Sequence, residues 1–311
     1  MAVWERALAI LIVAVHLCLP VSLSSSLGNT DPSYGRTAYH FQPVTNWMNG
    51  PLYHKGVYHL FYQYNPHGAL WDIGNLSWGH SVSYDLVNWT SLPTAIDPTS
   101  PFDGHGCWSG SVTTLADGVP AILYTGVNRS NVQVQNVAFP KDASDPLLRE
   151  WEKSGLNPVI PLPADIPADK FRDPSTAWLG RDGLWSVTVS GEVEGMGSTQ
   201  VFKSKDFLHW KRNPAPLHSS RAAGMWWSAR TCSLWRSAAA TGWTRRRAAR
   251  VVKHVLKLSV VDTRQDYYMV VAYDDATDAF VPGEPDRGDD YGLVRLGRTG
   301  PGRRPFRPKL F

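Results

Sequence analysis

The chain reads as an all-β protein, on three observations. The pattern Ser83-Tyr84-Asp85-Leu86-Val87-Asn88-Trp89 returns as Ser204-Lys205-Asp206-Phe207-Leu208-His209-Trp210, with a partial copy at Leu148-Arg149-Glu150-Trp151. Turn dipeptides separate short apolar runs. No long run of apolar residues at helical spacing follows the N-terminal leader. The three tryptophans stand 62 and 59 residues apart. A repeat of that length, with an aromatic that ends a strand, suggests propeller blades: small antiparallel sheets that cannot bury their faces alone. Chance recurrence is the competing explanation.

The elements follow in order. Met1 to about Ser24 reads as a cleaved secretory leader, with Arg6 as the charged start, Ala7–Leu19 as the apolar stretch and Ser22-Leu23-Ser24 as the cleavage pattern. His16 interrupts that stretch and Pro20 ends it short of about 20 residues, against a membrane anchor. No other stretch is suited to crossing a bilayer, so no membrane association is expected after cleavage. A hairpin is expected where Leu52-Tyr53-His54 and Val57–Tyr62 flank Lys55-Gly56. Asp117-Gly118 and Asp182-Gly183 mark further turns, before Ala121–Tyr124 and Leu184–Val187. Three sequons, at Asn75, Asn88 and Asn128, fit an exported glycoprotein.

With 311 residues and 43% apolar content, the chain is long enough for one large domain or two ordinary ones. A charged fraction of 19% excludes a generically disordered protein. The net charge of +4 is unevenly spread. Residues 226–250 hold six arginines and no acid, and the tail from Arg295 holds five arginines and Lys309. Setting those twelve aside leaves 19 basic residues against 27 acidic ones. A basic patch for nucleic acid is the other reading of these segments, but no binding motif accompanies them and no nucleic-acid partner is expected. Cys18 leaves with the leader; Cys107 and Cys232 form neither a disulfide framework nor a zinc spacing. No cofactor or metal is expected.

Gly106–Ser111 (Gly-Cys-Trp-Ser-Gly-Ser) and Phe171-Arg172-Asp173-Pro174 are the polar-aromatic clusters that packing explains least. Aromatic faces beside Asp, Arg, Gln and Ser suit a sugar, which stacks by its ring and bonds through its hydroxyls. Alternatively, Arg172 and Asp173 form a structural ion pair and the tryptophans are core.

At these residues the chain resembles glycoside hydrolase family 32, specifically plant cell-wall invertases and fructan exohydrolases. The matching segments are Tyr39-His-Phe-Gln-Pro43, Asn46-Trp-Met-Asn49, Tyr58–Pro66, Trp78-Gly-His-Ser81, Cys107–Ser111 and Phe171–Pro174. The resemblance spans roughly residues 37 to 225 and 252 to 290. It implies a five-bladed β-propeller followed by a β-sandwich. Here it implies an incomplete propeller of about four blades over residues 35–292, a basic tail over 293–311 and no sandwich. The implied reaction is retaining hydrolysis of a terminal β-fructofuranosyl bond, with sucrose the first expected substrate, fructan the alternative and cell-wall polysaccharide a further partner. The Arg-Asp-Pro carboxylate, Asp173, is implied to stabilise the transition state, with Arg172 beside it. Asn49, Gln63, Trp71, Trp108 and Ser109 are implied to line the fructose pocket. Asp274 is implied to match an acidic residue that favours sucrose.

The chain departs from the family at two places. Where the family reads Trp-Met-Asn-Asp-Pro-Asn-Gly, this chain reads Trp47-Met48-Asn49-Gly50, so the attacking Asp is missing. Plant genes of the family commonly place Asp-Pro-Asn on a tiny exon of its own. Where the family continues Glu-Cys-Pro-Asp after Gly224-Met225-Trp226, this chain reads Trp227-Ser-Ala-Arg-Thr-Cys-Ser-Leu-Trp235. Back-translated with one choice of synonymous codons, TGG AGT GCC CGG ACC TGT TCC CTG TGG, that stretch reads Glu-Cys-Pro-Asp-Leu-Phe-Pro-Val from the third base. Residues 227–250 are therefore expected to be an out-of-frame translation, which also accounts for the arginines. At Val294-Arg295-Leu296 a one-base slip likewise hides the start of the family's Tyr-Ala-Ser. The resulting expectation is a chain without nucleophile or acid/base, hence inactive; a non-catalytic sugar-binding protein and an active fructan exohydrolase are the alternatives.

Overall fold

The computed structural model describes residues 41, 48–68, 75–220, 227–235, 253–260, 265–274, 277–281 and 294–298. Among them there is no helix. The leader, Trp71, residues 236–250 and the end of the tail lie outside the described residues.

Four antiparallel sheets follow one another along the chain. The first contains β1 (Met48–His54), β2 (Val57–Tyr64), β3 (Ser77–Ser83) and β4 (Thr90–Ile96). The second contains β5 (Gly106–Thr114), β6 (Pro120–Val127), β7 (Gln133–Pro140) and β8 (Trp151–Lys153). The third contains β9 (Trp178–Leu179), β10 (Trp185–Val193), β11 (Met196–Ser204) and β12 (Trp210–Arg212), with β13 (His218–Ser220) also pairing with β11. The fourth contains β14 (Trp227–Trp235), β15 (Lys253–Val260), β16 (Gln265–Asp274) and β17 (Ala279–Val281), with β18 (Val294–Arg298) also pairing with β16. Each sheet is the up-and-down meander expected of a propeller blade.

The turns form where the sequence supplies the backbone freedom they need. At the β1–β2 hairpin both central residues, Lys55 and Gly56, have positive φ (46° and 85°), the requirement of a type I′ turn. Gly118 and Gly183 also have positive φ, at 84° and 75°. The β10–β11 turn, Glu194-Gly195, carried no distinctive sequence signal.

The repeated pattern is one turn used three times. Leu86, Leu148 and Phe207 all adopt positive φ, at 66°, 47° and 65°. The indole of the tryptophan three residues on donates to each of their carbonyls: Trp89 to Leu86 at 3.1 Å, Trp151 to Leu148 at 2.9 Å and Trp210 to Phe207 at 3.0 Å. Asp85 accepts the backbone amides of Val87 and Asn88, and Asp206 those of Leu208 and His209. Those bonds hold the Asp85 carboxyl well below the usual carboxylate range. One detail differs from the sequence reading. The tryptophan does not end a strand: Trp151 and Trp210 open β8 and β12, and Trp89 immediately precedes β4.

Two apolar clusters seal the seams between sheets. Phe61, Trp78, Ile122, Tyr124, Leu148 and Trp151 join the first sheet to the second. Leu123, Val137, Phe171, Val187, Phe202 and Phe207 join the second to the third. Alternate residues of β6 therefore serve opposite seams, as the two-residue period of a strand dictates. This explains why Ala121-Ile122-Leu123-Tyr124 is an unbroken apolar run, buried throughout. In the first sheet, His59 and His80 are buried and stacked, with 2.9 Å between His59 Nδ1 and His80 Nε2. Burial lowers His59 to a pKa of about 4 and His80 to about 3.

Candidate active site

The first strands of the sheets become irregular near their N-terminal ends. In β1, Met48 pairs with Tyr62 but Pro51 pairs with Leu60, so Asn49-Gly50 forms a bulge. In β5, Cys107 pairs with Gly126 but Gly110 pairs with Tyr124, so Trp108-Ser109 bulges likewise. In β14 a shift between Ala229 and Thr231 leaves Arg230 opposite no residue of β15. Ahead of the third sheet, Asp173 takes a positive φ of 63°, which is uncommon for a non-glycine residue. Bulges re-aim side chains, and strained backbone persists only where its surroundings hold it.

The holding groups are specific. Gln63 Nε2 donates to the Cys107 carbonyl at 3.1 Å, and Trp78 Nε1 to that of Trp108 at 2.9 Å. Ser111 Oγ donates to the Pro174 carbonyl at 3.0 Å, tying β5 to the Arg-Asp-Pro segment. A chain of polar groups from β6 and β7 supports that segment. Asp173 N donates to Thr125 Oγ1 at 2.9 Å, Thr125 Oγ1 to Gln135 Oε1 at 2.8 Å, and Gln135 Nε2 to the Phe171 carbonyl at 2.9 Å. Phe171 N donates to Gln133 Oε1, and Arg172 and Ser190 exchange backbone bonds of 3.0 Å. Gly110 allows the close approach beneath this region: a Cβ there would lie 2.0 Å from the Leu123 carbonyl oxygen. Just before β5, buried Asp103 accepts from Tyr124 Oη at 2.7 Å and Lys153 Nζ at 2.5 Å.

The result brings together most of the expected residues. The Arg172 guanidinium stands 5.5 Å from the Trp108 ring centroid, a cation–π contact. Asp173 and Ser109 are buried, while Trp108 and Arg172 are partly exposed. Gln63 is engaged from the first sheet. Asn49, in the β1 bulge, is fully buried, and neither its Oδ1 nor its Nδ2 has a hydrogen-bond partner. Such an orphaned amide costs about 1–3 kcal/mol and calls for a specific cause. Among the described residues no three His, Cys, Asp or Glu side chains come together to hold a metal.

Asp274 is placed elsewhere. It accepts Thr277 Oγ1 at 2.8 Å at the C-terminal end of β16, next to Tyr273, whose hydroxyl bonds Asp278. Asp278 in turn pairs with Lys203, whose β11 position lies opposite Ser186. Arg172 bridges to Ser190, four residues further along β10, so the Asp278 pair lies about 13 Å along the strand from the Arg-Asp-Pro segment. Trp227–Trp235 forms strand β14, paired with β15. Asn75 and Asn88 are exposed; Asn128 is half-buried, its Oδ1 accepting the Ser130 and Val132 amides.

The sequence reading missed the supporting polar residues Thr125, Gln133, Gln135, Ser190 and Asp103. A partial signal existed: Gln133 and Gln135 stand two apart, hence on one face.

Known proteins bear on this arrangement directly. The model of the glycosyl hydrolases family 32 N-terminal domain matches residues 40–294. The chain is 62% identical over 296 residues to beta-fructofuranosidase, insoluble isoenzyme 7, of Oryza sativa subsp. indica, covering 91% of this chain and 49% of that protein. It is 55% identical to fructan 6-exohydrolase of Triticum aestivum, covering 88% of this chain and 50% of that protein. The structure of fructan 1-exohydrolase IIa from Cichorium intybus superposes with a TM-score of 0.68 at 43% identity, over 81% of this chain and 47% of that one. The chain thus spans about half the length of the curated relatives it matches. A sheet meander repeated at the tryptophan period, an Arg-Asp-Pro segment held at positive φ and a family match over most of the length lead to one conclusion: the chain belongs to glycosyl hydrolase family 32.

Proposed function

We propose that the Trp108–Arg172–Asp173 cluster is the fructosyl pocket of a β-fructofuranosidase, and that this chain binds β-fructofuranosides without hydrolysing them. The observation that carries the reading is the arrangement at Asp173: a buried carboxylate on strained backbone, beside a guanidinium set against an indole face. Sugar recognition uses such a combination of ring stacking and directional bonds. Asp173 stabilises positive charge at the anomeric carbon, Gln63 and Ser109 bond the hydroxyls, and Trp71 and Trp108 supply stacking faces.

Retaining hydrolysis needs a carboxylate to attack the anomeric carbon while a second carboxylic acid protonates the departing oxygen and then activates water. The β1 bulge has Asn49-Gly50 where the attacking Asp belongs, and Trp227–Trp235 lacks the Glu. Loss of acid/base help alone typically costs about 10²–10⁴ in rate. Loss of the covalent route as well leaves negligible turnover. Residues 227–250 are an out-of-frame stretch on this reading, and the leader together with the cell-wall and insoluble names of relatives supports an extracellular location.

The test is titration calorimetry of the purified chain with fructose, sucrose and 1-kestose, beside an assay for released hexose. Binding that Asp173→Ala abolishes, with no hexose released, is the expected result. Release of hexose from sucrose or 1-kestose overturns inactivity, and absence of any heat overturns binding. Sequencing the full-length transcript tests the frame: Asp-Pro-Asn and Glu-Cys-Pro-Asp recovered in frame support it, and a transcript encoding this chain as written overturns it.

A further inference from the structure

The loop between β4 and β5, residues 97–105, ends at the bulge that presents Trp108. Its last turn closes on Asp103: Ser100 N donates to Asp103 Oδ1 at 2.9 Å, and Gly106 N to the Asp103 carbonyl at 2.7 Å. Gly106 has a φ of 143°, and a Cβ placed there would lie 2.9 Å from Trp108 Nε1. The indole is therefore packed against the Gly106 backbone, with the Arg172 guanidinium 5.5 Å from its ring centroid. The other carboxylate oxygen, Asp103 Oδ2, accepts Lys153 Nζ at 2.5 Å, Tyr124 Oη at 2.7 Å and the Cys107 thiol at 3.6 Å. Lys153 belongs to β8, the outermost strand of the second sheet, and donates as well to the Asp97 carbonyl and to Thr99 Oγ1. One ammonium group thus draws the loop to the sheet edge at Asp97, Thr99 and Asp103. The pair is enclosed: the Asp103 side chain is 0% exposed and that of Lys153 13%.

We infer that Asp103 and Lys153 are positioning residues for Trp108, setting the place of its ring and through it the affinity for a β-fructofuranoside. This rests on the reading of Trp108 as a stacking face of the fructosyl pocket. Both act through the Gly106 and Cys107 backbone rather than by contact with sugar. A buried ion pair is a weak source of net stability, since apolar residues of like volume often do as well. What it supplies is direction: a carboxylate whose two oxygens are committed to Ser100, Lys153, Tyr124 and Cys107 holds the loop in one conformation. A ring displaced by about 0.5–1 Å forfeits a quarter to a half of its dispersion contact, so loss of the pair is felt at the sugar. The two sides of the pocket are supported differently. Thr125 and Gln135 brace the Arg-Asp-Pro segment with neutral hydrogen bonds, whereas the Trp108 side is held by charge.

The experiment uses the full chain labelled with 5-fluorotryptophan, the Trp108 fluorine resonance being assigned by its loss in Trp108→Phe. The double variant Asp103→Asn, Lys153→Met removes both charges, so that neither is left buried and unpaired. Lys153→Arg keeps the pair. The Trp108 resonance is expected to shift in the double variant and to stay in place in Lys153→Arg. Calorimetric affinity for 1-kestose is expected to fall about ten-fold in the double variant alone, the worth of one aromatic contact. Phe207→Leu, which loosens the seam between the second and third sheets, controls for stability: it lowers the urea midpoint and leaves resonance and affinity unchanged. An unmoved Trp108 resonance in the double variant overturns the proposal, as does an equal shift in Lys153→Arg or Phe207→Leu. A shifted resonance with unchanged affinity overturns the link to the sugar. Failure of the double variant to melt cooperatively, repeated in Lys153→Gln, overturns the proposal too, because the pair then holds the fold and not the ring. Absence of heat with the parent chain overturns the fructosyl reading instead, and the resonance still decides the positioning.

Discussion

The two ends of the sheets are built on opposite plans. At the end bearing the candidate site, first strands bulge at Asn49-Gly50 and Trp108-Ser109, Asp173 is strained and the Asn49 amide is orphaned. At the other end, Asp–apolar–Trp turns repeat with their backbone donors satisfied by side chains. Both ends place non-glycine residues at positive φ, so strain alone does not distinguish them. What differs is periodicity. The turn strain recurs in three copies, two of which plug a seam, whereas the site irregularities differ from sheet to sheet.

The comparison breaks most visibly at the plugs. Phe207→Ala is expected to destabilise the fold by about 3–5 kcal/mol, whereas Leu86→Ala stays within about 0.5 kcal/mol, because one empties a seam and the other trims a surface. Urea midpoints of the two variants check this, and equal losses would show that the turns are not architecturally distinct.

A smaller effect belongs to acid. His59 and His80 are depressed to about 4 and about 3 in the fold, against an unfolded value near 6.5. Below about pH 6.5 the unfolded chain therefore binds protons that the native state refuses, and stability falls with pH until the folded groups titrate. Between pH 7 and pH 5 the loss is expected to be about 2–4 kcal/mol, and His80→Phe should flatten the profile. A urea midpoint independent of pH over that range would contradict it.

The smallest effect sharpens the site end. Asn49→Leu removes two unmet hydrogen-bonding atoms and is expected to be neutral or to stabilise by up to about 1 kcal/mol. Thermal melting measures it, and a loss above about 1 kcal/mol would mean that the amide has a partner in solution.

How much of this was legible follows the same division. The hairpin at Lys55-Gly56 could be read directly, because positive φ at a turn selects glycine. The Trp89, Trp151 and Trp210 spacing gave the sheet period, since the turn and its indole brace recur in the first three sheets. The bulges were not legible: whether Asn49 or Trp108 pairs or protrudes depends on the register each strand takes against its hairpin partner, β2 or β6. The structure sets Arg172 beside Trp108, two segments that the sequence reading grouped through motifs rather than periodicity. That reading also grouped Asp274 with them, but nothing local reveals at which end of β16 a residue falls until the strand's direction is known. The Thr125–Gln135 brace escaped notice because a polar residue inside an apolar strand has no distinctive neighbours.

Strand β6 has a further consequence. Because its alternate side chains are shared between two seams, neither neighbouring sheet can loosen without exposing one side of it. The first three sheets are thus expected to melt as one cooperative body rather than blade by blade, with the β6 amides the last to exchange with deuterated solvent.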